Sequence, residues 1–592
     1  MADASTDKAH GIRWDLTRLY AGPDDPQLDA DIADARRRAD TFAGAQRAGD
    51  AHTSAGALQE ALREYEAILA LGRRPAFYGS LLAAADGENA QALALEQHTA
   101  EAETALGNQL VFFELGLATL DEGRFQALVA DPALQSYRHF LTTLRRSRPH
   151  RLSEAEERVL AMKDVSGRDA FVQLYDEICA ALRFRLSADG PEMAEGEVIA
   201  LLHHPEPQQR AAALESLLTT FARERLPLTA VTNALLLDHR LETDLRAYPT
   251  VIAPTHLANE VEPAVVDAMM HSVERHYPVM QEFFRLKARL LGLAQLTIAD
   301  VYAPTGTTAP VPFTEARTIV LDAFARFDPE FATHATAFFT DARIDAEVRP
   351  GKRPGAFCAA LGPDDDAWVL ASYADTTRDV ATIAHELGHG VHDTLARGQS
   401  LLSYSPPLVL AETASVFAEM LVTDHLLAEA PDDATRRQIL VETLDEIYGT
   451  VFRQHALTRY ELAAHAARKT HRVSTDELST LWTQEQTRLL GDAVTLTDSY
   501  RWGWMYIPHF VHSRFYCYSY AFGELFALAL FQRHREQGPA FVSEYRALLA
   551  SGGSVAPTDL AARFGFDLTS PAFWDGGCAV VRARVEDLRR SL

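Results

Sequence analysis

Residues 384–392 read A-H-E-L-G-H-G-V-H, and this stretch leaves the chain little conformational choice. His385 and His389 stand four residues apart, and in a helix positions i and i+4 lie one above the other on the same face. There the two imidazoles can grip one zinc ion, and Glu386 beside the first can take a proton from a water next to that ion. With 22 histidines in 592 residues, H-E-x-x-H arises by accident roughly 0.06 times, so a solvated helix with stray histidines is the weaker reading.

The flanking residues favour a helix. Upstream, Ala367–Ala374 is a short apolar run containing Trp368, Val369 and Tyr373, which suits a buried strand. Thr376, with Asp379 three residues on, resembles a capping box, with Asp in the usual place of Glu. A helix is therefore expected from about Thr377, through the motif, to Gly398. Gly388 and Gly390 inside it cost about 1 kcal/mol each relative to Ala. Close approach of a second helix or of a substrate backbone is the expected reason for them.

A catalytic zinc needs three protein ligands and one open position. His392 lies seven residues beyond His385, roughly 10.5 Å along a straight helix, whereas zinc–nitrogen bonds are about 2.0–2.1 Å. His392 is thus expected beside the ligands or on the substrate side. Leu395 occupies the position where a longer motif would carry a third histidine. Pro406-Pro407 can begin a new helix, and Ala411–Met420 then reads A-E-T-A-S-V-F-A-E-M. Glu412 and Glu419 share one face of that helix, flanked by Val416 and Phe417. Glu412 could ligate the metal, and Glu419 could hold a ligating histidine through its other ring nitrogen. A charged, solvated stripe is the alternative for both.

These residues resemble the zinc metallopeptidases of the thimet oligopeptidase and oligoendopeptidase F group, the latter branch more closely. H-E-L-G-H-x-x-H at His385–His392 and A-E-x-A-S-x-F-x-E at Ala411–Glu419 are the most specific marks. Trp14-Asp15-Leu16 through Leu19-Tyr20 looks like that branch's N-terminal signature. Gly351–Phe357 resembles its glycine-rich segment, with Pro354 as a departure. The resemblance implies a single zinc ion held by His385, His389 and Glu412, with Glu386 as general base. It also implies a mainly α fold: a large helical, bowl-like body around a deep substrate channel, with a small β-sheet beside the zinc-binding helices.

Residues 501–520 read R-W-G-W-M-Y-I-P-H-F-V-H-S-R-F-Y-C-Y-S-Y, dense in aromatic rings and histidine. Tyr516, Tyr518 and Tyr520 alternate at strand period, yet Tyr516 and Tyr520 are also four apart, so periodicity does not decide between strand and helix. Ala521–Phe531 is a good helix. An aromatic core patch is one reading of this segment. The other is a set of donors aimed at the zinc, because peptide hydrolysis develops negative charge on the carbonyl oxygen. By the resemblance His509, Tyr516 and Tyr520 take that role, with Tyr518 turned away. Tyr373, Tyr518 and Gly355 are candidate substrate contacts, and the edge of strand 367–374 could align a peptide by backbone pairing.

Asp29–Gly44, Gly56–Leu71, Asn89–Leu120, Leu152–Met162 and Phe171–Arg183 carry apolar residues at helical spacing. Phe184–Leu202 holds Gly190-Pro191 and suits a hairpin, which sets a division into an N-terminal helical domain, 1–195, and a catalytic domain, 196–592. His203-His204-Pro205 is better explained by a helix end than by a metal. Four scattered cysteines form no zinc pair and no disulfide framework, which suits a reducing cytoplasm. Met1–Lys8 lacks a secretory pattern, and no apolar run reaches membrane-spanning length. A formal charge of −26 argues against nucleic acid as a partner.

The expected activity is zinc-dependent endopeptidase action on short peptides. One rival is a peptidase releasing C-terminal dipeptides, which needs a carboxylate-binding cation such as Arg353, Arg501 or Arg514. The other is a non-catalytic helical peptide binder, which the intact Glu386 weighs against.

Overall fold

Runs with apolar residues at three-to-four spacing fold as helices, and helix takes up 73% of the chain in this computed structural model. The structure describes residues 9–47, 54–306 and 309–592; the stretch Met1–Lys8, read above for a secretory pattern, lies outside them. The five expected N-terminal helices occupy Pro26–Arg47, Ala55–Ala85, Ala90–Ala118, Glu154–Ser166 and Arg168–Ala181. Ser54, Asn89 and Ser153 cap three of them by accepting first-turn N–H groups.

Two compact units emerge, each assembled from three stretches of chain: Met1–Arg148, Ala309–Glu429 and Arg533–Phe564 in the first, and Pro149–Thr308, Ala430–Gln532 and Gly565–Leu592 in the second. These units cut across a single division at residue 195. The turn expected there exists as one antiparallel bridge between Phe184 and Met193, followed by the helix Glu195–Ala200.

In the first unit the three long N-terminal helices pack through Ala35, Ala39 and Phe42, Leu58, Leu62 and Ile68, and Leu106, Leu110 and Phe113. Asp15 caps the short helical turn Leu16–Arg18. Leu16, Leu19 and Tyr20 then join a cluster with Tyr78, Leu81 and Trp368, which ties the N-terminal signature to the sheet. That sheet has three strands, with Ala367–Leu370 in the middle, parallel to Ile344–Asp345 and antiparallel to Phe357–Ala360. The expectation of a free edge on strand 367–374 is therefore corrected. Both sides of Ala367–Leu370 are already hydrogen-bonded, and Phe357–Ala360 is the edge strand that follows the glycine-rich segment.

The second unit holds the helices Arg225–Leu245, Tyr277–Leu290, Arg453–Thr470, Thr475–Leu490 and Pro571–Arg590. A two-stranded parallel pair, Leu296–Thr297 with Val494–Thr495, joins two of its stretches. Two of its buried cations are paired: Lys287 Nζ donates to Asp445 at 2.6 Å, and Arg210 donates to Asp300 at 2.7 Å. His204 follows the helical turn Leu201–His203, so the adjacent histidines mark a helix end. Among the described residues no helix is long and apolar enough to cross a membrane.

Candidate metal centre

The strand, cap and helix follow in the order the sequence gives them. Thr376 accepts the N–H of Asp379, Asp379 returns a bond to the Thr376 N–H, and the helix Thr377–Leu395 follows, ending in the turn Ala396–Gly398. Pro407 precedes a four-residue helix, Leu408–Ala411, and Glu412 sits at the junction with the helix Thr413–Glu429. Glu412 and Glu419 thus belong to consecutive helical segments and still reach the same place.

Gly388 explains how. A Cβ at this position would lie 2.6 Å from the Ala414 carbonyl oxygen and 2.7 Å from the Ser415 Cα, so the second helix packs directly on the glycine backbone. At Gly390 the approaching group is the Phe338 ring, 2.2 Å from the same imagined atom. The two glycines are demanded by packing from opposite neighbours. Both outweigh the helix propensity that alanine would add.

Three side chains converge as a result. His385 Nε2 and His389 Nε2 lie 3.2 Å apart, and Glu412 Oε2 is 3.3 Å from the first and 3.5 Å from the second. The three donor atoms all fall within 4.8 Å of one another. Glu419 closes on His385 Nδ1 from the other side of the ring, and Ser415 Oγ donates to Glu412 Oε2 at 2.9 Å.

The chemistry of this set fits a cation. A carboxylate only accepts, so the Nδ1 facing Glu419 carries the hydrogen and leaves Nε2 of a neutral His385 with a lone pair. That lone pair faces another ring nitrogen and a second carboxylate oxygen, an arrangement of acceptors that a positive charge at their centre satisfies. Burial pulls His385 towards neutrality, but its bonds to Glu412 and Glu419 outweigh that and hold its pKa well above the usual value. Burial likewise works to raise Glu412, while His385 and His389 hold its carboxyl far below the ordinary range. Glu386, 5% exposed, is pushed up by burial against the opposing pull of both histidines.

His392 stands elsewhere. Its ring is buried and bonded to the Leu549 backbone, and burial with the nearby His389 lowers its pKa to about 4. It contributes no atom to the three-residue cluster, and it lies close enough to His389 for the charge of that ring to bear on it. Asp393 lies four residues beyond His389, and burial pushes its carboxyl up to about 6.

In the second unit, Tyr516 immediately precedes the helix Cys517–Gln537, and His509 begins the short helix His509–His512. Their rings meet Tyr520 as a trio, with centroids 5.7 Å apart for His509–Tyr516, 5.8 Å for His509–Tyr520 and 5.1 Å for Tyr516–Tyr520. All three are half-buried. Burial and the charge of Arg453 lower the His509 pKa.

Tyr518 points the other way. It is fully buried, and its hydroxyl accepts from Asn259 at 2.7 Å. Tyr373 is equally buried and donates to the Val311 carbonyl at 2.7 Å. Both are core residues, which corrects their expected role as substrate contacts: each hydroxyl is already used inside the protein. Gly355 is exposed at φ +89°, a left-handed conformation that favours glycine, in the turn before the edge strand.

Comparison with known proteins matches residues 200–580 to the family model described as Peptidase family M3, and residues 117–184 to the one described as Oligopeptidase F. The chain belongs to peptidase family M3, and it is a metallopeptidase. Group B oligopeptidase PepB of Streptococcus agalactiae is 28% identical over 489 residues, covering 81% of this chain and 80% of the relative. Oligopeptidase PepF of Bacillus subtilis is 24% identical over 550 residues, covering 91% and 82%. Among solved structures, oligoendopeptidase-F from Enterococcus faecium superposes with a TM-score of 0.71 at 21% identity, covering 95% of this chain and 98% of that one. A crystallised protein of Chlamydophila abortus reaches 0.85 at 22% identity, covering 98% of both chains. At such identities the structural likeness speaks for the fold.

Proposed function

We propose that this metallopeptidase is a zinc-dependent endopeptidase that hydrolyses internal bonds of short oligopeptides. The observation that carries the reading is the convergence of two imidazole nitrogens and one carboxylate oxygen within 4.8 Å. His385, His389 and Glu412 would hold one zinc ion, and Glu419 would fix the ring orientation and tautomer of His385. When bound, zinc supplies Lewis acidity, polarising the scissile carbonyl and acidifying a nearby water. Glu386 takes the proton of the attacking water and passes it to the leaving amine. Tyr520, with Tyr516 and His509 beside it, donates a hydrogen bond to the carbonyl oxygen as charge develops there. Gly355 and the edge strand Phe357–Ala360 offer backbone to an extended peptide.

Restriction to short peptides follows from the names of the relatives, which are oligopeptidases and an oligoendopeptidase. A deep channel in a helical body would account for it physically by excluding folded proteins. The cut near residue 195 is kept as a division of the sequence rather than of compact units, and the two family models, ending at 184 and starting at 200, support it. A cytoplasmic setting, with neither membrane nor nucleic acid as partner, suits the scattered cysteines and the formal charge of −26.

The decisive experiment pairs metal content with Glu386→Gln. The amide keeps shape and hydrogen bonding but cannot accept a proton, so turnover should fall by at least about 10²–10⁴-fold with zinc still bound. Activity within about tenfold of the parent would remove Glu386 from the role. Mapping products from a mixture of peptides separates endopeptidase action from its rival, since release of C-terminal dipeptides alone would sink the present reading.

A further inference from the structure

Among the described residues Arg453 is a cation that the fold builds in without a counter-ion. It opens the helix Arg453–Thr470, directly after a π-helical turn, Tyr448–Phe452, in which the Arg453 N–H bonds to the Tyr448 carbonyl. Such turns are rare and frequently sit at functional sites. The extra residue rotates every later side chain by about 100° around the axis, and so decides where the Arg453 side chain emerges. The residue is half-buried.

Its neighbours are phenols. One guanidinium nitrogen donates to the Tyr506 hydroxyl over a long 3.4 Å, and Tyr302, Tyr500 and Tyr448 also lie in its electrostatic surroundings. Tyr302 and Tyr448 pack with centroids 5.9 Å apart. Among the described residues no carboxylate pairs with Arg453, while Lys287 and Arg210 in the same unit each have one. Five N–H donors with a single long bond leave most of this side chain's capacity unused. Withdrawing a cation from water without a partner costs stability, and an anionic ligand that pairs with it offsets that cost.

The place is informative too. Tyr506 lies three residues before His509, and the charge of Arg453 is felt at His509, one of the rings clustered with Tyr516 and Tyr520. Of the other arginines that could serve a carboxylate, Arg501 and Arg514 have polar partners of their own, and Arg353 is exposed. Arg501 pairs with Asp476 at 2.7 Å and lies over Trp502, Arg514 donates to the Val511 carbonyl, and Arg353 sits over the Phe357 ring.

We infer that Arg453 and Tyr506 form a carboxylate-binding subsite in the second unit that captures an anionic group of the peptide substrate. The planar guanidinium takes a carboxylate through two parallel N–H bonds, and the phenol adds a third donor. The carboxylate belongs either to the peptide's C-terminus or to an acidic side chain. Its effect on turnover rests on the proposed peptidase function; its effect on binding does not.

The test uses one N-terminally fluorescein-labelled heptapeptide in four forms: free acid or amide, each with Glu or Gln at one internal position. Binding by fluorescence anisotropy and kcat/KM are measured for the parent protein, Arg453→Gln and Arg453→Lys. The parent should bind at least one carboxylate form about tenfold or more tighter than its neutral counterpart, a charge-assisted preference. The acid–amide pair and the Glu–Gln pair tell which carboxylate is taken. Arg453→Gln should bring that ratio near one, and Arg453→Lys should keep part of it, because the charge remains but the fork is lost. Equal binding of all four peptides by the parent needs no variant to interpret, and it would overturn the subsite. So would a preference that survives in a folded Arg453→Gln protein. If no peptide is cleaved, yet the binding preference exists and vanishes with Arg453, the subsite stands and the peptidase reading falls.

Discussion

The Glu419 carboxylate closes on Nδ1 of His385, the ring nitrogen pointing away from the His389 and Glu412 donors. This bond fixes the tautomer and turns the Nε2 lone pair of His385 towards the cluster. It exists because the helix Thr413–Glu429 rests on Gly388, one turn from His385. Glu419→Gln keeps the length of the side chain and an acceptor oxygen but removes the charge. Zinc affinity, measured by competition with a chelator, should fall by about 10–100-fold. Unchanged affinity would reduce Glu419 to a packing residue.

Glu412 and His392 make opposite predictions. Glu412 contributes an oxygen to the three-atom cluster, whereas His392 is buried and bonded to the Leu549 backbone. Glu412→Ala should release zinc to a mild chelator. His392→Ala should leave zinc in place and lower the melting temperature, since a buried ring and its hydrogen bond are lost. Zinc retained by the first variant and lost by the second would mean that the ligand set is wrong.

The motif helix was legible because three local signals agreed: the apolar run before it, the Thr376–Asp379 capping box and the four-residue spacing of His385 and His389. Gly388 could be read as a close approach for the same reason, an unexplained helix cost. The identity of what approaches was not legible, and at Gly390 it is the Phe338 ring. The burial of Tyr373 and Tyr518 was not legible, because sequence distance gives no burial, and both hydroxyls are spent on internal partners. The order of the small sheet was hidden as well. The middle position of Ala367–Leu370 depends on Ile344–Asp345, a two-residue strand too short for any alternation. Arg453 lies in no motif; only a cation next to the apolar Val451-Phe452 hinted at it.

The aromatic trio can be tested one hydroxyl at a time. Tyr516 and Tyr520 share a face of the helix start, and both meet His509. If Tyr520 donates to the developing oxyanion, Tyr520→Phe should lower kcat by about 10²–10³-fold and leave KM nearly unchanged, because the bond strengthens only in the transition state. Tyr516→Phe is the paired variant and should show the smaller loss. Should both keep normal kcat and melt several degrees lower, the trio serves packing.

The turn that leads into this trio carries its own pH dependence. Glu461 accepts the Phe515 N–H at 2.9 Å, and Phe515 adopts φ +54°, a left-handed conformation that a bulky aromatic residue rarely takes. The second carboxyl oxygen, Oε2, is buried without a hydrogen bond. Burial pushes the Glu461 carboxyl up to about 8, against the opposing pull of the Phe515 N–H and the nearby Arg514. In the unfolded chain the same group titrates near the ordinary 4.5. Between these two values the folded protein holds a proton that the unfolded chain has released, so stability falls as pH rises through that window and levels off above it. Glu461→Gln keeps an acceptor for Phe515 and cannot titrate. Other groups titrate alike in both proteins and cancel in the comparison. The two should melt at similar temperatures near pH 5, and the variant should gain on the parent by several degrees as pH approaches 8. A difference that is constant over this range would mean that Glu461 is ionised throughout and that the turn is held by a charge.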